Sequence, residues 1–245
     1  MDAVTPAARV AADAYRPTAR SKVKRLPKRG HYDRATVHGV LDAGLLGHVG
    51  YAIDGQPFVT PTAYWREGQV LYWHGSSASR MLRHLEAGVP ACVAVTHLDG
   101  FVMARAGFHH SINYRSVMAF GTAQLVADPA EKLAALEAFV ARLYPGRWDE
   151  VRPPTGQELK ATKMIVMPIE EASAKIRTGD PVDDEADYTL PCWAGVIPVR
   201  QVIGAGIPDA RLAPGAPWPQ HLSGYSDGVA LDDLMSRYAA GKGPA

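Results

Sequence analysis

The stretch HVGYAIDGQPFVTPTAYW, residues 48–65, decides the fold class of this chain. HVGYAI and QPFVTPTAYW are runs rich in β-branched and aromatic residues. Between them stands Asp54-Gly55, the two-residue signal of a type I′ hairpin. Working outward, QVLYWHG (69–75) reads as a third strand after the REG turn. SSASRMLRHLEAG (76–88) then reads as a short helix, with serines to cap it and Gly88 to end it. PACVAVTHL and FVMARA flank Asp99-Gly100, which predicts a second hairpin. NYRSVMAFGTAQLVA (113–127) is a long strand in which Gly121 marks a bulge or bend, and TKMIVMPIEEASAKIR (162–177) returns to strand.

Two helices interrupt this pattern. HYDRATVHGVLDAGLLG (31–47) spaces Val37, Val40, Leu41 and Leu45 along one face and ends in glycines. DPAEKLAALEAFVARLYPG (128–146) has Asp128 as N-cap, Pro129 at the first helical position and Glu131 to complete a capping box. About six antiparallel strands with inserted helices, and no βαβ alternation, predict a mainly-β protein built on a closed antiparallel β-barrel.

Composition narrows the function classes. The 245 residues are 47% hydrophobic and 21% charged with a net charge of +1, so no global field attracts nucleic acid or an anionic membrane. No apolar run is long enough to span a bilayer, and MDAVTPAARVAADAYRPTAR has no h-region, so a cytoplasmic location is expected. Cys92 and Cys192 read as free thiols. The chain divides into a basic arm (1–25), a barrel domain (26–200) and a proline- and glycine-rich extension (201–245), the last a wandering segment that packs on the surface or on a partner.

Two segments gather hydrogen-bonding side chains. In WHGSSASRMLRHL (73–85) a strand ends at His74-Gly75 and a helix begins near Ser79-Arg80. Hydroxyls, backbone N–H groups and an arginine there suit a phosphate, while a merely serine-capped helix suits the residues as well. Gly75 is read as a place where a ligand approaches the backbone. FHHSINYRSVMAFG (108–121) adds His109, His110, Tyr114, Arg115 and Ser116, and Arg115 is expected to meet Arg80 around one phosphate. His109 and His110 have no third ligand at metal spacing, so no metal site is expected. No G-x-S-x-G, G-x-G-x-x-G or P-loop occurs.

The ordered series KRLPKRGHYD, GHVGYAIDGQPFVTPTAYW, LYWHGSSASRMLRHL, FHHSINYRSVMAFG, EEASAKIRTGDPVDDEADY and PCWAGVIP resembles the pyridoxamine 5′-phosphate oxidase-like flavoproteins from about residue 25 to 200. It is similar in particular to the branch that includes the nitroimidazole-resistance and flavin-nucleotide-binding proteins. The resemblance implies a split β-barrel that forms a homodimer and binds FMN in two clefts at the subunit interface. It places Pro61 and Thr62 alongside the isoalloxazine and His74, Gly75, Ser79 and Arg80 around the ribityl phosphate. The oxidases carry arginine then lysine at that turn. Here Arg80 is followed by Met81, which leaves Arg115 or Lys175 to supply the second charge. Trp193 is expected to reach across from the partner subunit. Related barrels hold a deazaflavin or haem instead.

The terminal substrate-binding arginine motif of the oxidases is not recognisable, so their own activity is not expected. The reading that results is an FMN-binding oxidoreductase acting on a small molecule, with His74, Tyr64 and His110 as the side chains expected to touch substrate. A nitroimidazole reductase-like enzyme and a non-catalytic flavin carrier are the alternatives.

Overall fold

The structure is a computed structural model, and it describes residues 13–242. Nine strands form one antiparallel sheet: β1 (Gly30–His31), β2 (Leu46–Ile53), β3 (Gln56–Glu67), β4 (Val70–Ser76), β5 (Val89–Met103), β6 (Ser111–Leu125), β7 (Thr162–Pro168), β8 (Glu171–Arg177) and β9 (Gly195–Pro198). Six of them close a ring in the order β6-β7-β4-β3-β2-β5 and back to β6, while β8 with β1 extends from β6 and β9 extends from β5. This is the expected split barrel. Asp54 and Gly55 both have positive φ, as a type I′ turn requires, and Ile53 pairs with Gln56 across it.

The long strands do the splitting. One edge of β6 pairs along its length with β5, while its other edge serves two partners: β8 from Tyr114 to Phe120, then β7 at Gln124 and Leu125. Gly121 sits at the changeover. A Cβ there would stand 2.0 Å from the Pro168 carbonyl oxygen, so only glycine lets the β7–β8 connection cross.

Alternation along the strands separates two surfaces. Val49, Tyr64, Leu71, Trp73, Val93 and Val117 point into the barrel, which also receives Val37, Val40 and Leu41 of helix α1 (Arg34–Asp42) and Leu82 and Leu85 of α2 (Arg80–Leu85). Helix α3 (Pro129–Leu143) covers the outside of β4 and β7, where Trp65, Ala135 and Met164 form a second cluster with Leu136 and Phe139. Asp128 caps α3 as expected, but the reciprocal capping box forms instead at Thr155 and Glu158, at the start of α4 (Gly156–Ala161).

Two readings of the chain are corrected. β5 runs unbroken through Asp99-Gly100, which is a bulge, and the reversal comes at residues 104–110. Residues 162–177 are two strands, not one. The extension is anchored on its own chain: α5 (Leu231–Ala239) buries Leu234 and Met235 completely, against Leu45 and Leu143. Arg115 pins that helix to the barrel, donating to both oxygens of Asp99 (2.7 and 3.0 Å) and to Asp232 (2.8 Å). Burial pulls the Asp232 carboxyl up, but the bond from Arg115 and its charge hold it below the usual range. The described part of the basic arm also lies on its own chain, with Arg20 paired to Glu171 at 2.6 Å and stacked on Phe120. Its first 12 residues lie outside the described residues.

Two outcomes follow for stability. Gly121→Ala lowers the free energy of unfolding by about 3 kcal/mol, or the melting temperature by roughly 10 °C. Gly39→Ala, on the open face of α1 where a Cβ meets nothing within 4 Å, raises the stability by about 0.5–1 kcal/mol. Urea unfolding of the two variants measures both. Arg115→Ala frees α5, and backbone amides of residues 231–239 then exchange about tenfold faster (~1.4 kcal/mol) while those of β2 and β3 do not change. Uniform loss of protection would show that the clamp holds the barrel itself.

Candidate functional site

The candidate site lies on the outside of the barrel. Because Trp73 and Tyr64 point inward as a registered pair, their neighbours His74 and Ala63 point outward, and Leu46 pairs with Ala63 on the next strand. His48 pairs with Pro61 one step along. This face leaves Leu46 65%, Val59 67% and Met118 48% exposed. Ser116 and Lys175 join it as a registered pair, with the Ser116 hydroxyl donating to the Lys175 carbonyl at 3.2 Å. Tyr114 lies opposite Arg177.

At the end of β4 the Ser76–Arg80 turn carries the expected hydroxyls. Ser76 accepts from the Ala78 N–H and Ser79 caps α2 by accepting from the Leu82 N–H. The Arg80 guanidinium lies over the Phe58 ring, 4.3 Å from its centroid, and forms no ion pair among the described residues. A cation stacked on an aromatic face and free of carboxylates is held in place yet available to an anion. Gly75 has another reason for being glycine: its missing Cβ makes room for Leu82 at 3.1 Å, so α2, not a ligand, occupies that space.

His74 is wedged edge-on against Phe139 (4.7 Å between centroids) and Trp65 (6.0 Å). Burial pushes its imidazole below the usual range, so the ring is neutral at pH 7. Among the described residues, its buried Nδ1 has no hydrogen-bond partner. The side chain lines an open cleft of about 440 Å³ with Leu136, Trp148, Pro154 and Leu159. No motif flagged the far wall of this cleft, which residues between Trp148 and Leu159 form.

The other expected residues scatter. Tyr64 is buried inside the barrel and donates to the Leu41 carbonyl; burial raises its pKa strongly, and it cannot touch a substrate on the outer face. Arg115 does not join Arg80 within the chain. Arg115 pairs with His97, whereas the Phe58 ring under Arg80 stacks on Tyr51, next to the Gly50–Cys92 pair. Six residues of β5 separate these levels, roughly 20 Å at 3.3 Å per residue. Arg115 is also already held by two carboxylates. His110 is exposed at the 104–110 reversal, bonded through Nδ1 to the Ala106 carbonyl at 3.0 Å, and His109 faces Asp184 at 3.6 Å. Trp193 is 63% exposed and its indole covers Gly195.

Against known proteins, the pyridoxamine 5′-phosphate oxidase family model matches residues 33–176. Among solved structures, the flavocytochrome Anf3 from Azotobacter vinelandii is 45% identical, with a TM-score of 0.81 over 86% of this chain and 98% of that one. The FAD and haem binding protein from Mycobacterium smegmatis is 36% identical, with a TM-score of 0.78 over 83% of this chain and 98% of that one. No curated protein sequence matches the chain. The model match spans more than half of the 245 residues and the barrel is the one the motifs imply: the chain belongs to the pyridoxamine 5′-phosphate oxidase family.

Proposed function

We propose that this protein is a flavin-dependent redox protein in which a flavin works together with a haem. The observation that carries this reading is the 45% identity, over nearly the whole of both chains, to a flavocytochrome. The 36% identity to an FAD and haem binding protein favours FAD over the FMN expected from the motifs. The residues present suit such cofactors. Arg80, stacked on Phe58 and free of carboxylates, is available to a flavin phosphate, with the Ser76 and Ser79 hydroxyls on the same turn. The outward face beside Pro61 and the Thr62 backbone is the apolar platform for the isoalloxazine. Lys175, paired with Ser116 beside Arg115, stands at the level of Arg115 and so does not reach Arg80 within one chain. A bound flavin supplies hydride or single-electron transfer. The chain's part is to position it, keep water from one ring face and provide the neutral imidazole of His74 nearby.

The exposed Leu46, Val59 and Met118 are the surface on which a second copy packs, completing each flavin site from two chains. As an oxidoreductase, the protein oxidises NADH or NADPH in the presence of a small acceptor. A carrier with a covered flavin would not.

The purified protein is expected to show flavin bands and a Soret band, with FAD and haem released on denaturation. A colourless protein that takes up neither would refute the reading. Arg80→Ala weakens flavin binding roughly tenfold to a hundredfold, the range of one charge-assisted phosphate contact. Riboflavin, which has no phosphate, binds wild type and variant alike. If both ligands lose affinity equally, Arg80 has only a structural part. Sedimentation should give a dimer, and a monomer that retains flavin tightly would remove the shared-site model.

A further inference from the structure

We propose that the basic edge of the sheet, formed by residues 16–29, docks an acidic electron-carrier protein. The inference rests on the flavin reading above and adds the kind of protein with which the cofactor exchanges single electrons. Seven of the chain's 26 Lys and Arg stand within residues 16–29 and no Asp or Glu does, which leaves 19 to set against all 25 acidic residues elsewhere. A protein that is nearly neutral as a whole is therefore strongly polarised, and such an asymmetry orients an approaching acidic partner. Lys22, Lys24, Arg25 and Lys28 are exposed, and of the seven cations Arg20 alone has an ion pair among the described residues.

The segment is fastened along its length. Tyr15 is buried, donates its N–H to the Tyr32 carbonyl at 2.8 Å and bonds the His38 ring through its hydroxyl. Thr18 and Arg20 donate to Glu171, and the Val23 N–H donates to the Tyr32 hydroxyl at 2.8 Å. Leu26 has a φ of 56° and is 46% exposed, so an apolar side chain in the strained left-handed region stands among the cations. An apolar contact with a charged rim is the anatomy of a protein interface. Among the described residues β1 is an end strand of the sheet, so no further strand pairs beyond it. Its Gly30 lines up with Lys175 of β8 and Ser116 of β6, which brings Arg29 to the margin of the outward face. Arg177 adds to the charge there. It is buried with no ion pair among the described residues, and burial, then the charge of Arg29, holds its guanidinium below the usual range. A compact acidic protein, covering about 800 Å² of each partner, meets this edge alone. A long polyanion or a membrane plane also meets the acidic remainder of the chain and is repelled by it.

The test uses the full-length, flavin-loaded protein with an acidic 2Fe–2S ferredoxin as the one-electron carrier. Each reduced ferredoxin gives up one electron, so two are oxidised for every flavin that gains two electrons and two protons from water. Anaerobic stopped-flow follows association and electron transfer, and calorimetry measures binding of the oxidised ferredoxin. Wild type is expected to bind, with an association rate that falls about tenfold between roughly 0.01 and 0.3 M salt. Lys24→Gln, Arg25→Gln and Lys28→Gln together lower the low-salt rate about tenfold and flatten that dependence. Leu26→Gly suits the left-handed backbone and so keeps the fold, while the complex dissociates several-fold faster. Dithionite reduces the flavin of every variant alike. Wild type that does not bind ferredoxin, or a triple variant that binds it as wild type does, overturns the proposal. Loss of the dimer in the triple variant gives the edge to a second copy and overturns it too, as does selective binding of duplex DNA or phosphatidylglycerol vesicles. A purified protein without flavin overturns the redox reading instead, and calorimetry still decides the docking surface.

Discussion

Closure of the barrel depends on one crowded crossing. Where β6 passes from β8 to β7 along the same edge, the backbone at Pro168 comes so close to Gly121 that a single methyl group would collide with a carbonyl oxygen. Without that crossing β7 could not reach β4 and the ring would open into a sheet with two free edges. The rest follows from closure. Once the ring exists, each strand has one face in a filled interior and one face outside, and every functional assignment in this chain turns on which of the two a residue occupies.

The consecutive residues Trp73 and His74 make the point. Trp73 is fully buried inside the barrel, and His74, one pleat later, stands outside beneath α3. The same alternation removes Tyr64 from the outer face and leaves Ala63 and Pro61 upon it. Side chains close in sequence are thereby divided between a structural and a chemical environment, and their pKa values divide with them: Tyr64 is raised by deep burial, and His74 is lowered by the shelter of two aromatic rings.

Charge is partitioned in a similar way. Arg115 and Arg80 are both arginines at strand or helix starts, yet Arg115 is consumed by Asp99 and Asp232 and works as a rivet between the barrel and α5. Among the described residues, Arg80 has only an aromatic face for company. An arginine surrounded by carboxylates has its electrostatic demand already met, while one over a ring keeps its charge for an anion. The C-terminal extension earns its place through the same rivet. The spacing of Leu231, Leu234, Met235 and Tyr238 is that of an amphipathic helix, a signal easily overlooked behind so many prolines and glycines.

Local patterns by themselves determined a good part of this protein. Asp54-Gly55 dictates its hairpin because only a tight turn with two left-handed residues joins the flanking strands. Asp128-Pro129 starts α3, and the ordered motifs from about residue 25 to 200 identify the family. Those features depend on neighbours along the chain. What tertiary structure alone decided is everything that needs two distant segments: the bulge in place of a turn at Asp99-Gly100, the capture of Arg115 by Asp232, Leu82 filling the space at Gly75, and the cleft in which His74 meets Trp148 and Leu159. The physical reason is that backbone conformation is set within a few residues, whereas the partner of a side chain is set by which strands the closed barrel brings side by side.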